Sequence, residues 1–201
     1  MEREVMNAIL FLNRTGVPWR YVPHDFPPHT TVFGYSSDWI SDGTIEELGL
    51  HLHRMVRERE GRTAEPTACV LDAQSVKAAA PSVPTDTQGT DVGNKIVGRT
   101  CSIVVDTLGL LLLVMVTATS VSDNEAGKQL LTRVAADHPT TTKARVDTGY
   151  KRSFGWIMMH RRPARDYEIK PTHSESMIRL AMISSLAKRA TGETPITWHS
   201  P

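Results

Sequence analysis

The stretch CSIVVDTLGLLLLVMVTAT, residues 101–119, decides the fold class of this chain of 201 residues. Two apolar runs flank a turn-forming segment from Asp106 to Gly109, so the stretch predicts two β-strands joined by a tight turn. The apolar run at 108–118 is too short to cross a bilayer as a helix and is typical of a buried strand. We therefore expect a β-sheet here and no membrane association.

Two further strands are predicted on either side of this hairpin, and each ends on an acid. The segment ACVLD ends at Asp72, and the segment ARVD ends at Asp147. Residues 78–91, which contain proline, glycine and several polar residues, are predicted as a loop.

Helical periodicity covers most of the remaining chain. A first helix is expected to end at Gly16, and residues 16–39, with four prolines, are expected to form an irregular packed connector. Capping boxes predict helices that begin near Thr44, Ser122 and Thr172. Apolar residues at helical spacing predict the inward faces of these three helices: Ile45, Leu48, Leu52, Met55 and Val56; Leu130, Leu131 and Val134; Met177, Ile178, Ala181, Met182 and Leu186.

Another helix is predicted over Phe154–Arg162. The resulting order is helices, strand, hairpin, helix, strand, helix and helix, which indicates an α/β domain behind an N-terminal helical piece. The segment GRTAEP at 61–66 marks the boundary, so we expect a helical region at 1–62 and a second domain at 63–201.

Charge is distributed unevenly along a chain whose net charge is only +1. Residues 143–189 hold eleven Lys/Arg and four Asp/Glu, a local net of +7, which leaves −6 for the rest. A basic C-terminal quarter suggests an anionic partner, nucleic acid first, although a solvated helix surface explains it equally well. The two cysteines lie in apolar runs and are expected to be buried thiols of a reducing cytosol.

The two strand-end acids suggest metal chemistry. Carboxylates at the ends of neighbouring strands can converge, and Mg²⁺ prefers oxygen ligands. Two such ions can activate a hydroxyl and stabilise a leaving oxygen in phosphodiester chemistry. The alternative is that each Asp merely caps a strand or turn. His51 and His53 lack a third ligand nearby, so a zinc site is not expected.

Several blocks of sequence together resemble the DDE-type insertion-sequence transposases of bacteria, insertion-sequence-five group. These blocks run in order along nearly the whole chain: RTGVPWRYVPHDFPPHTTVFGYSSDWISDGT, LDAQSVK, GRTCSIVVDTLGLLLLVMVTATSVSDNEAG, VDTGY, RSFGWIMMHRRPARDYE and SESMIRLAMI. The resemblance implies a ribonuclease-H-like catalytic domain behind a helical region, and Mg²⁺-dependent cutting and joining of DNA, with Mn²⁺ as a substitute. It implies Asp72 and Asp147 as the first two catalytic, metal-binding acids.

The resemblance also implies a cytoplasmic, nucleoid-associated bacterial protein that forms homo-oligomers on element ends and target DNA. The chain departs from the family's pattern after VDTGY. The family has a sizeable segment here and then a helix that begins with Glu-Arg, whereas this chain runs directly into Lys151 and Arg152. We interpret this as an internal deletion between 150 and 152 that removed a strand and the third acid, and the N-terminus also looks shortened. Glu168 matches a separate family position and is not a replacement.

Six basic residues are predicted to contact DNA phosphates, with ordinary surface charge as the alternative. They are Lys95, Arg99, Arg152, Arg161, Arg162 and Arg165. Some family phosphate contacts are expected to be lost, because Thr100, Cys101 and Ser102 stand where the family carries Lys/Arg and His.

Three hypotheses remain open from the sequence. The chain is a degraded transposase with absent or very weak catalysis, a DNA-binding or dimerising remnant, or a product that does not fold stably because an apolar surface and a sheet edge are uncovered.

Overall fold

The computed structural model describes residues 1–79, 83–91, 93, 95–146 and 151–193, and the side chains of all of these except 151–153. The helices are α1 (Glu2–Thr15), α2 (His29–Ser41), α3 (Thr44–Arg59), α4 (Asp123–Asp137), α5 (Lys151–Met158), α6 (Arg161–Ala164) and α7 (Pro171–Thr191). The strands are β1 (Ala68–Lys77), β2 (Gly89–Asp91), β3 (Ile96–Asp106), β4 (Leu111–Ala118) and β5 (Lys143–Val146). The protein is therefore mixed α/β with a helical N-terminal region.

The predicted hairpin is confirmed and forms the centre of the sheet. β3 and β4 pair antiparallel around the turn, in which Gly109 has a φ of 76° that favours glycine. The Asp106 carboxylate accepts hydrogen bonds from the N–H groups of Leu108 at 2.8 Å and Leu110 at 2.9 Å. β1 pairs antiparallel with β3 and parallel with β5, which gives the order β4–β3–β1–β5, while β2 pairs with the start of β3.

Helices cover both faces of the sheet, because successive strand residues point to opposite faces. Val70 and Ile103 pack with Phe154 of α5 and Ile178 of α7 on one face. On the other face the apolar side of α4 packs on strand residues of opposite parity; this cluster is formed by Cys69, Leu71, Val104, Leu112, Leu113, Met115, Ala126, Leu130 and Val134.

The N-terminal helices share a core with α7. Residues of α1, α2 and α3 cluster with Met177, Leu180 and Ile183, so α7 lies between these helices and the sheet. The predicted inward residues of α7 are all buried, and both cysteines are buried and free, as expected. None of the helices in the described ranges is long and apolar enough to cross a membrane.

Two predicted irregular segments are wrong in part. The connector at 16–39 contains most of α2, because its four prolines all precede His29 and the last of them, Pro28, is the N-cap. The strand predicted to end at Asp72 continues to Lys77, since β3 offers backbone hydrogen bonds along its whole length. The predicted loop at 78–91 also contains β2.

The predicted helix Phe154–Arg162 is divided into α5 and α6. A proline ring clashes with the carbonyl four residues earlier in a continuous helix. For Pro163 that carbonyl belongs to Met159. The Met159 carbonyl accepts a hydrogen bond from Arg14 Nη1 at 2.8 Å in place of a helical one. The helix therefore stops before this point.

One of the three predicted capping boxes is formed in half, because the Glu125 carboxylate accepts from Gln129 Nε2 at 3.1 Å rather than from the Ser122 N–H. Ser122 Oγ accepts from the N–H of Glu125 at 3.3 Å at the start of α4. Thr44 is instead inside α3, and its N–H is bound by Asp42. Thr172 is inside α7, and the Glu175 carboxylate binds the N–H of Val116 at 2.9 Å. The inward predictions fail at two exposed residues, Met55 and Leu131.

Candidate active site

Asp72 lies in the middle of β1 and is half-buried. Its neighbour across the sheet is Ile103 of β3, and its Oδ1 accepts a hydrogen bond from the N–H of Ala73 at 2.9 Å. Strand alternation places Asp72 on the face of Val70 and Val76, which α5 and α7 cover. Asp72 is therefore held on a central strand rather than at a free turn.

The Cys101 thiol is buried on the α5 and α7 face of the sheet. Burial raises its pKa, and the negative charges of Glu175, Asp166 and Asp72 raise it further. Helix α5, which begins at Lys151, covers the same side of the sheet.

The parallel pairing of β1 with β5 brings together the residues that precede the two predicted acids. Leu71 pairs with Val146 in this register. Asp147 itself lies outside the described residues. All four residues of β5 are exposed, and Val146 retains 83% of its accessible surface.

An open cavity of about 480 Å³ lies on the α4 face of the sheet, where Leu71, Ala73 and Ser102 line it; Asp72 borders it, although strand alternation directs the Asp72 side chain to the other face. Its wall includes Ser102, Val146 and the first turns of α4, where Asp123, Asn124 and Lys128 lie. A second cavity of about 560 Å³ shares Ala73 and Asp123 with the first, so the two cavities are adjacent, and we call them together the groove. Serine and threonine residues line this second part: Ser75, Thr100, Thr119, Ser120 and Ser122.

Sequence reasoning missed the contribution of α4 to this groove. The Ser122 capping box predicted where the helix begins, but not that its first turns line this groove. A single sequence carries no signal for that neighbour, because the contact depends on how α4 crosses from β4 to β5. The groove residues Asp123, Asn124 and Lys128 were therefore not predicted.

The described residues supply an incomplete metal site. Within the described ranges, no three His, Cys, Asp or Glu residues are placed to hold an ion together. Glu168 does not line the groove, since it is buried and its Oε1 accepts from Arg162 Nε at 2.6 Å. His53 is also committed elsewhere, because its ring lies 3.2 Å from the carboxylate of Asp106. Asp72 has the oxygen donors that a hard divalent ion prefers, but it is one ligand.

The structure buries Arg99, which was predicted to contact a DNA phosphate. It is 1% exposed, and its guanidinium donates to Asp166 Oδ2 at 2.9 Å and to the carbonyl oxygens of Glu168 and Ile169 at 2.9 Å each. It also donates to Thr87 and Ser174. With its donors bound inside the protein, Arg99 ties β3 to the segment before α7, which corrects the prediction of DNA binding.

Arg162 is also a structural residue. It is 5% exposed, pairs with Glu168, and donates from Nη1 to the carbonyl of Val17 at 3.0 Å. Its guanidinium lies 5.0 Å from the centre of the Trp19 ring. These contacts join α6 to the N-terminal region, so the predicted phosphate contact of Arg162 is corrected as well.

The other predicted basic residues divide into exposed and undescribed ones. Lys95, Arg161 and Arg165 are exposed. The side chain of Arg152 lies outside the described residues. Because these three side chains are exposed, each is accessible to a DNA phosphate. Their contact with DNA stays a prediction.

Two family comparisons cover most of the chain. Residues 63–195, which include every strand of the sheet and α7, match the transposase DDE domain family. The chain belongs to the DDE transposases. Residues 1–49 match a second family, the transposases of the IS4/5 family (DUF4096). No curated protein and no solved structure matches the chain.

The two matches follow each other in the order expected for one insertion-sequence transposase of the IS4/5 type. DDE transposases are enzymes that cleave DNA and transfer its strands, and they generally use divalent metal ions. DNA is accordingly the partner of this transposase by family.

Proposed function

We propose that this transposase retains two of the three acids of its metal site, Asp72 and Asp147, and that catalysis is absent or very weak. The observation that carries the proposal is the parallel register in which Leu71 pairs with Val146. Each acid follows its paired residue by one peptide bond, and consecutive Cα atoms are about 3.8 Å apart. This register is why we propose that the two acids share an ion, since carboxylates at the ends of neighbouring strands can converge on one metal.

A divalent ion, Mg²⁺ with Mn²⁺ as substitute, fits the oxygen donors of these two acids. When bound, such ions activate an attacking hydroxyl and stabilise the leaving oxygen in phosphodiester chemistry. The N–H of Ala73 orients the Asp72 carboxylate. The hydroxyl-lined groove is not part of this acid site, because Ala73, Ser75 and Thr100 in its wall alternate with Asp72 and lie on the α4 face of the sheet.

The strand order supports a ribonuclease-H-like domain at 63–201 that is incomplete. An antiparallel β1–β3–β4 unit is followed by α4 and by β5 parallel to β1. Beyond β5 the described residues add no further strand. The proposed deletion between 150 and 152 removed the strand that would cover this edge. The region 1–62 is proposed to be the helical N-terminal region of the transposase.

The missing third acid is the reason for the proposed loss of catalysis. Lys151 begins α5, the helix on the Asp72 face, where the family's pattern has Glu. A lysine ammonium cannot ligate an ion that needs oxygen, and its charge repels the ion. Two ligands remain, which is fewer than a stable pair of ions requires.

The first test is metal binding measured as thermal stabilisation. Mn²⁺ at a hundredfold excess over its Kd should stabilise the protein by about 2.7 kcal/mol, because it binds only the folded state. Asp72→Asn and Asp147→Asn should each abolish this stabilisation, whereas Asp86→Asn, which changes an exposed acid outside the groove, should not. Equal stabilisation of all variants would refute the two-acid site.

The second test concerns catalysis. Wild-type protein should show no Mg²⁺- or Mn²⁺-dependent cleavage or strand transfer on element-end DNA. Strand transfer by the purified wild type would refute the proposed loss of catalysis. The Lys151→Glu variant should bind Mn²⁺ more tightly than wild type, since it adds an oxygen ligand.

A second candidate function is DNA binding or dimerisation without cleavage, for example in competition with an intact transposase. The observation that favours it is the exposure of four basic residues, Lys143 and Arg145 in β5 and Arg161 and Arg165 in and after α6. Such a protein would bind element ends or target DNA in the nucleoid as a homo-oligomer. Failure to bind element-end duplex at low salt would exclude this candidate.

A further inference from the structure

A cavity of about 150 Å³ lies between α1, α5 and α7. We call it the cationic pocket, and it is formed by Leu10, Arg14, Trp156, Met159, His160, Ala181, Ser184, Ser185 and Lys188. A water molecule occupies about 30 Å³ of liquid, so the pocket has room for a small polyatomic ion. Asp72 does not belong to its wall.

Two positive charges in the wall lack a counter-charge. Arg14 Nη1 donates to the carbonyl of Met159, and no carboxylate in the described part of the chain pairs with Arg14 or Lys188. The neighbouring Arg189 differs, because it pairs with Glu60 at 3.0 Å. Unpaired like charges around one cavity repel each other and attract an anion.

His160 adds a buried polar group that has no partner. It is 7% exposed, and its Nδ1 has no hydrogen-bond partner among the described residues. Burial and the charges of Arg14 and Lys188 lower its pKa to about 4, so the imidazole is neutral at pH 7. Buried polar atoms are nearly always hydrogen-bonded in folded proteins, so an orphaned one beside a cavity indicates a missing ligand or water.

Two hydroxyls complete the polar wall. Ser184 and Ser185 are half-buried on α7, and neither hydroxyl makes a hydrogen bond to another described residue. The wall therefore offers a guanidinium, an ammonium, an imidazole and two hydroxyls. This set contains many donors and no acidic group.

We infer that the cationic pocket binds an oxyanion of the phosphate class. A tetrahedral oxyanion offers several acceptors at once, and charge-assisted hydrogen bonds to arginine and lysine are the strong ones. The ligand is either a phosphate of bound DNA or a free phosphate compound. The inference does not depend on the metal site, so its failure would leave the two-acid proposal unchanged.

The test is a titration of the full chain with inorganic phosphate at constant pH. Binding is monitored through the imidazole NMR signals of His160. These signals, assigned with His160→Gln, should shift and saturate. The double variant Arg14→Gln/Lys188→Gln should weaken phosphate binding at least tenfold. The matched control Arg20→Gln/Lys170→Gln, which changes two exposed cations outside the pocket, should leave binding unchanged.

A second variant guards against loss of folding, because Arg14 also binds Met159. The Lys188 ammonium makes no hydrogen bond to another described residue. Lys188→Gln alone should therefore weaken phosphate binding several-fold without changing the melting temperature. A phosphate titration that leaves His160 unaffected, or two double variants that bind alike, would overturn the inference.

Competition with a short DNA duplex identifies the source of the oxyanion. If the duplex displaces phosphate from the His160 signals, the pocket holds a DNA backbone phosphate. If phosphate binds and the duplex does not compete, the ligand is a free phosphate compound. Both results support an oxyanion site.

Discussion

Asp106 illustrates how a turn residue becomes a central contact. The carboxylate is fully buried and accepts hydrogen bonds from Arg57 and from two backbone N–H groups of the turn, and it lies 3.2 Å from the His53 ring. Burial alone would raise its pKa, but the hydrogen bonds from His53, the Leu110 N–H and Arg57 outweigh burial and lower the pKa. Asp106 thus joins α3 to the β3–β4 hairpin.

Replacing Asp106 by Asn should destabilise the protein by about 3–5 kcal/mol, because Arg57 is then buried without its counter-charge. Chemical denaturation measures the change, with Asp86→Asn as a nearly neutral control. A loss below about 1 kcal/mol would contradict the proposed role of the pair.

The stability of the protein at acidic pH should depend on the same carboxylate, that of Asp106. A lowered folded-state pKa contributes stability that is present above the unfolded value of about 3.9 and is lost as pH falls through the folded value. The wild type should therefore lose stability between about pH 4 and the lower folded pKa of Asp106. Asp106→Asn should show a shallower loss over this range, measured by denaturation at several pH values.

The exposed arginines Arg161 and Arg165 should contribute to DNA affinity through counterion release. Each phosphate contact contributes about 0.9 to the slope of log K against log salt. Arg165→Gln should therefore weaken binding on all sequences and reduce the slope by about one, measured by fluorescence anisotropy. Arg20→Gln is the matched control, and an unchanged slope for Arg165→Gln would assign this residue to ordinary surface charge.

At the scale of elements, β1 and β3 are held at a very close approach near Gly98. A Cβ added there would lie 2.1 Å from the carbonyl oxygen of Val76 and 2.8 Å from the nitrogen of Ala78. Both are backbone atoms and cannot move aside independently. Only glycine therefore allows β1 to continue past Asp72 with this register.

Gly98→Ala should destabilise the protein by about 1–3 kcal/mol, the usual cost of overpacking. Gly34→Ala is the control within a helix, since a Cβ there meets nothing within 4 Å. It should stabilise α2 by about 0.5–1 kcal/mol. Thermal melting of both variants measures these two opposite changes in stability. A Gly98→Ala variant as stable as the wild type would show that the strands can separate slightly without cost.

At the scale of the whole molecule, the helical region and the DDE domain share one core. Helices α1, α2 and α3 cover Met177, Leu180 and Ile183 of α7, and Arg162 and Asp106 add buried polar contacts across the same boundary. We expect a single cooperative melt of the full chain, with equal calorimetric and van't Hoff enthalpies.

A chain that begins at residue 63 should lose this transition and expose the apolar side of α7. Two separate transitions in the full chain would show that the regions fold independently. The absence of any cooperative transition would favour the third hypothesis, a chain that does not fold stably.

The sequence by itself determined the local elements and the family. The hairpin at 101–119, the helix that begins at Ser122 and the buried face of α7 follow from turn residues, one capping box and apolar periodicity, which are short-range properties. The ordered motif blocks likewise indicate a DDE transposase without reference to any tertiary contact.

Only the tertiary structure decided which charged residues are available for function. Arg99 and Arg162 have the same chemistry as Arg161 and Arg165, but Asp166 and Glu168 bury the first two in ion pairs. The continuation of β1 past Asp72, the groove wall supplied by α4 and the cationic pocket also depend on partners that are distant in sequence. Burial and pairing are properties of three-dimensional neighbours, so a one-dimensional pattern does not determine them.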